Sequence, residues 1–163
     1  MGRWEELREQ SYQVIRFRSG GKELAVVIDA VERTEQIPLL TGVPLAPSFV
    51  RGVASLRGGV VCVVDLRPLL EPGSEAAAGG DEKSLLVIHD GVRRIGVLCD
   101  DLPDFQRVGR GETLDLPQDE LEVYSGALRV HRAKPVVGAP PELVGILDPP
   151  RLFDLVERRL HEG

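Results

Sequence analysis

Residues 47–70 read PSFVRGVASLRGGVVCVVDLRPLL, and the fold turns on how this stretch is parsed. Two apolar runs, residues 53–56 and 60–64, flank Arg57, Gly58 and Gly59. Gly58-Gly59 supplies the positive φ angles that a two-residue hairpin turn demands, so the runs are predicted to be antiparallel strands. Arg57 then sits beside a tight turn, where an arginine is ordinarily a solvated charge.

The same pattern extends outward in both directions. Residues 11–37, SYQVIRFRSGGKELAVVIDAVERTEQI, hold two β-rich runs around SGGK, with Val14, Arg16 and Arg18 alternating against Ile15 and Phe17. Residues 84–102, SLLVIHDGVRRIGVLCDDL, form a third predicted hairpin with Asp90-Gly91 as its turn. Between them, EPGSEAAAGGDEK at 71–83 is small, polar and glycine-rich, the composition of a surface loop. EVYSGALRVHRA at 122–133 reads as a strand, KPVVGAPPEL at 134–143 as a proline-broken loop, and LVGILD at 143–148 as a buried strand. The period then changes. Leu152, Val156 and Leu160 recur at i, i+4 and i+8 beside Phe153, after prolines that suit a helix start. The first ten residues, with Trp4 and Leu7, read as a short helix or a mobile extension.

The two halves of the chain echo each other. VIRFRSGGKELAVVIDAVE answers to LLVIHDGVRRIGVLCDDLP, Gly52 to Gly126, and Asp65 to Asp148. Short strands repeated in this way, each too small to bury its own face, predict an all-β chain of two small barrels joined over a shared apolar seam, with a C-terminal helix. The recurrence of Asp29, Asp65 and Asp148 at matching places argues for a structural role repeated with the repeat.

Composition narrows the function. At 163 residues the chain is about one domain's worth. A net charge of -6 repels a phosphate backbone, and four Phe, two Tyr and one Trp leave little to stack on bases, so nucleic acid is not an expected partner. Apolar runs are too short to span a membrane, and MGRWEELREQ is too polar for a secretory signal, so a cytoplasmic chain without membrane insertion is expected. Cys62 and Cys99 lie in apolar runs and carry no disulfide framework signal.

Catalytic patterns are weak. His89, His131 and His161 are scattered, and neither cysteine has metal-ligand spacing, so no metal or other cofactor is expected. GVASLRGG lacks the Lys-Ser/Thr pair of a phosphate loop, and Ser55 has no Gly-x-Ser-x-Gly elbow. Asp100-Asp101 could in principle do acid-base work, but neighbouring strand-end residues face opposite ways and such aspartates usually cap turns.

The 44–70 stretch, PLAPSFVRGVASLRGGVVCVVDLRPLL, resembles the signature of the CheW-like domain family, with Pro47, Phe49, Gly52, Leu56, Arg57, Gly58, Asp65, Leu66 and Arg67 in register. RRIGVLCDDL and GILDPPRLF are similar to later segments of the same family. The resemblance implies two five-stranded SH3-like barrels sharing a hydrophobic core, one domain over 12–158 with halves near 12–72 and 84–158, and chain segments able to cross between barrels. Residues 1–11 are then an N-terminal extension. It also implies a non-enzymatic, stand-alone adaptor that couples the cytoplasmic tips of chemoreceptors to the regulatory domain of a CheA-type histidine kinase, at receptor arrays on the inner membrane.

By position, the resemblance assigns partner contact to Val31, Arg33, Gly52, Val53, Arg57 and Gly58. Two departures stand out. Arg33 occupies a commonly acidic position and Ser55 a common asparagine position. A reversed charge at an interface costs affinity unless the partner reverses too, which points to a non-standard receptor or kinase, such as one in motility, pilus or developmental signalling.

Overall fold

The computed structural model describes residues 12–74, 81–109, 112–116, 122–130 and 142–162. The readings of residues 1–10 and of the loop at 134–141 fall outside them.

Among the described residues, eleven strands form two sheets. In chain order they are β1 (Tyr12–Ser19), β2 (Lys22–Val27), β3 (Val31–Glu35), β4 (Val50–Leu56), β5 (Gly59–Val64), β6 (Ser84–His89), β7 (Arg94–Cys99), β8 (Asp104–Val108), β9 (Thr113–Leu114), β10 (Tyr124–Val130) and β11 (Glu142–Leu147). A short helix, Leu66–Leu70, follows β5, and Pro149–Glu162 forms the C-terminal helix. One sheet is ordered β8-β1-β2-β11-β10-β9 and the other β3-β6-β7-β5-β4. Each therefore combines strands that are far apart in the chain: β2 runs parallel to β11, and β5 parallel to β7.

Two pairs of positions that echo each other in the sequence also share local backbone features. A bulge interrupts β4 between Val50 and Gly52 and interrupts β10 between Tyr124 and Gly126. The Asp65 N–H donates to Phe49 O at 2.7 Å, and the Asp148 N–H donates to Val123 O at 2.8 Å. Each aspartate then caps a helix, Asp65 accepting from the Arg67 N–H and Asp148 from the Arg151 N–H.

Both faces of the central strands are covered, which explains their unbroken apolar runs. Along β2, Leu24 and Val26 face the large core while Ala25 faces a second cluster with Val14, Val108, Leu128 and Ile146. Along β6, Leu86 and Ile88 face the same large core while Leu85 and Val87 join a third cluster with Ala54, Val61 and Val63. The period of two thus feeds two sheet interiors and one common seam, which the C-terminal helix completes with Leu152, Phe153, Leu155 and Val156.

Four expectations need correction. The sheet with β9 has six strands, not five; β9 is a two-residue piece that follows β8 and pairs with Ala127 and Leu128 of β10. Thr41 plays the same part in the other sheet, following β3 and bridging to Val53 of β4. The hairpin tip between β4 and β5 is Arg57-Gly58, because Gly59 already pairs with Leu56. The connection between β6 and β7 spans residues 90–93, with the Asp90 carboxylate accepting from the N–H groups of Val92 and Arg93. Leu160 is 41% exposed, the buried stripe of the helix ending at Val156.

Candidate functional site

Arg57 stands at the exposed tip of the β4–β5 hairpin, and its side chain has no hydrogen bond or ion pair among the described residues. Gly58, with φ 94°, completes the turn. Its carbonyl accepts from Arg94 Nη2 at 3.0 Å, while Arg94 Nη1 lies 3.2 Å from Glu32 Oε1. The turn and β3 are thereby held together although they lie at opposite ends of the sheet order.

Arg33 occupies β3 beside this junction. Its guanidinium meets Glu35 Oε1 at 3.1 Å and Glu32 Oε1 at 3.9 Å. The positive charge of Arg33 is therefore internally paired, and Arg57 carries the cation that the turn offers to solvent. Val31, half-buried, pairs with Ile88 of β6 and packs on the large core.

The structure separates Gly52 and Val53 from that cluster. Both lie further back along β4, four or more residues from Arg57, where Val53 exchanges hydrogen bonds with Thr41 at 2.9 and 2.8 Å. Gly52 has φ 144°, and a Cβ there would lie 2.7 Å from Thr41 O. Its glycine is required by the close pass of the 36–49 segment over the strand. Ser55 is exposed, with no base beside it in the hydrogen bonds of the described residues.

Sequence reasoning missed Arg94 and Glu32. A register step in β3, from Val31↔Ile88 to Arg33↔Val87, leaves Glu32 unpaired in the ladder, and nothing local in the sequence announces it.

A cleft of about 740 Å³ opens elsewhere, lined by Lys22, Leu70, Tyr124 and Leu155 among others. Burial works against the Lys22 ammonium, but the Glu71 carboxylate at 2.8 Å and the Tyr124 phenol outweigh it and raise its pKa. The hydrogen bond and charge of Lys22 hold Glu71 low, and burial pushes Tyr124 up. All three shift away from neutrality, opposite to what a general acid or base working near pH 7 needs. Asp100 serves the fold, its carboxylate accepting from the Gly21 N–H at 2.8 Å and so securing the β1–β2 turn. Cys62 and Cys99 are both free thiols. Among the described residues, no group of three or more His, Cys, Asp or Glu is placed to hold a metal ion, and no helix is long and apolar enough to cross a membrane.

Two interlocked β-sheets share a seam that the C-terminal helix seals, and one hairpin presents a charged turn to solvent. Residues 13–157 match the CheW-like domain, and the chain belongs to the CheW-like domain family.

Among similar proteins are the chemotaxis protein CheW of Rhizobium meliloti (strain 1021), 34% identical over 96 residues, and that of Klebsiella aerogenes, 26% identical over 88. Protein FrzA of Myxococcus xanthus is 34% identical over 101 residues. These alignments cover 59%, 54% and 62% of this chain and 61%, 52% and 62% of the respective relatives. The crystal structure of the scaffolding protein TtCheW from Thermoanaerobacter tengcongensis superimposes with a TM-score of 0.64 over 84% of each chain, at 16% identity. It therefore speaks to the fold alone.

Proposed function

We propose that the chain is a non-enzymatic adaptor of a chemotaxis-type signalling system, coupling the cytoplasmic tip of a chemoreceptor to the regulatory domain of a CheA-type histidine kinase. The observation that carries this reading is the Arg57-Gly58 turn: an exposed cation, unpaired among the described residues, at the tip of a tight hairpin, within a chain that matches the CheW-like domain over residues 13–157. Val31, Arg33 and Gly58 border the contact around Arg57, whereas Gly52 and Val53 shape the sheet that carries it.

Array contacts of this kind can be individually weak and gain strength from multivalency. The output is a changed population of kinase geometries, not a chemical step. The chain works in the cytoplasm and joins receptor arrays at the inner membrane through its partners, without inserting itself.

The test is a titration of the purified chain against the regulatory domain of the CheA-type kinase from the same genome. Saturable binding at a fixed stoichiometry is expected. A folded chain that binds neither that domain nor the receptor tip would contradict the reading. Arg33 favours a second version, in which the same adaptor serves a pathway other than chemotaxis; a preference for a receptor or kinase with an acidic residue facing Arg33 would establish it.

A further inference from the structure

Arg94 opens β7 in the middle of its sheet, paired with His89 of β6 and remote in sequence from the residues assigned to partner contact. Its guanidinium faces two acceptors at once. Nη1 lies 3.2 and 3.3 Å from the two carboxylate oxygens of Glu32, and Nη2 donates to Gly58 O at 3.0 Å.

Three separate features make room for this fork. The β3 bulge leaves Glu32 outside the ladder, free to turn toward Arg94, as bulges commonly re-aim a side chain. Gly59 has no Cβ, and one built there would stand 3.1 Å from Arg94 Nη2. A planar guanidinium can serve a carboxylate and a carbonyl at fixed angles, whereas an ammonium is a single point of charge.

The tip needs such a tether. Gly58 and Gly59, at φ 94° and 129°, give the hairpin end wide conformational freedom, and Arg57 contributes no side-chain bond of its own among the described residues. Fixing the Gly58 carbonyl fixes the Gly58-Gly59 peptide, one residue beyond Arg57. We infer that Arg94 is a positioning residue: through Glu32 it locks the Arg57-Gly58 turn to the β3 bulge, so that Arg57 and Arg33 are presented as one rigid surface. This rests on the proposal that the turn contacts a partner. A surface held in its bound shape loses less freedom on binding, so the tether adds affinity without touching the partner.

The experiment uses the full ¹⁵N-labelled chain as wild type, Arg94→Gln, Arg94→Lys, Arg57→Ala and the Arg57→Ala/Arg94→Gln double variant. Backbone order parameters are read at residues 57–59 in the free protein, and Kd is read against the purified kinase regulatory domain. In Arg94→Gln the order parameters are expected to fall from about 0.85 to below about 0.6. Binding should weaken roughly threefold to tenfold, with part of the loss restored in Arg94→Lys. In the Arg57→Ala background the further effect of Arg94→Gln should be under about twofold.

Unchanged order at residues 57–59 would overturn the inference, and so would an equal loss of affinity in both backgrounds, which would make Arg94 a contact in its own right. If wild type binds no regulatory domain, the adaptor proposal fails, while the order parameters still decide whether the tether exists. Should Arg94→Gln not fold, Glu32→Gln, which keeps the side-chain shape, is expected to loosen the same three residues. No loosening there would overturn the inference.

Discussion

Arg93 Nη1 lies 3.0 Å from Asp154 Oδ1, joining the β6–β7 connection to the C-terminal helix. The same guanidinium bonds Asp90 at 2.7 Å and Glu157 at 3.2 Å and stands 5.3 Å from the Phe153 ring centroid. One side chain thus clamps the helix that seals the common seam. Arg93→Ala is expected to lower stability, read as a fall in the denaturant midpoint at constant m.

The clamp also sets an acid dependence. Burial alone would raise the Asp90 carboxyl, but hydrogen bonds from the Arg93 and Val92 N–H groups and from the Arg93 side chain hold it below the ordinary aspartate value. A carboxyl depressed on folding adds stability that is present in full above the unfolded pKa of about 3.9 and disappears as pH falls through the folded value. Between pH values of about 5 and 2, stability should therefore fall less steeply in Arg93→Ala than in wild type. Parallel curves in that window would contradict the assignment.

Asp65 is buried, caps the Leu66–Leu70 helix and lies 3.6 Å from Arg51 Nη1. Asp65→Ala should remove the cap and one carboxylate facing a mostly covered arginine, at a cost of about 2 kcal/mol. An unchanged melting temperature would rule out the capping role.

Gly52 and Gly42 form a matched pair. A Cβ at Gly52 meets the Thr41 carbonyl at 2.7 Å under a φ of 144°, whereas a Cβ at Gly42 meets nothing within 4 Å. Gly52→Ala is expected to cost about 2 kcal/mol or more, and Gly42→Ala to stay within about 0.5 kcal/mol. Equal losses would mean that closure of the sheet by Thr41 does not depend on glycine.

The hairpins and the C-terminal helix are legible in the sequence because their signals are local. Gly20-Gly21 reverses the chain between Ser19 and Lys22 as predicted, and the 3.6-residue period marks the buried face of the helix as far as Val156. Asp65 and Asp148 repeat because each ends a strand and caps a helix. The Leu66–Leu70 helix is not legible, because five residues are too few to show a period, although the Asp65 cap and Pro68 in its first turn are usable signals. Arg57 stands out through its motif. Its tether does not, since Arg94 and Glu32 meet only after the β3 register step and the packing of separate strands.

The thiols offer a check on the packing of the seam. Burial pushes the Cys99 thiol up to about 12, with Ser84 opposing and the Asp100 charge adding to the rise, and burial also raises the half-buried Cys62. At pH 8, Cys62 should react slowly with a disulfide reagent and Cys99 only at the rate of unfolding. Fast reaction of both in the native protein would show that the seam is open.

The adaptor proposal is tested most directly by receptor-dependent kinase activity, reconstituted from receptor tip, kinase and either wild type or Arg57→Glu. Because Arg57 is exposed and unpaired among the described residues, the variant is expected to melt within about 1 °C of wild type. Coupling should nevertheless be lost, with affinity for the regulatory domain or receptor tip reduced by about tenfold or more. Full coupling by the folded charge-reversal variant would contradict the claim that this turn is where the partner is held.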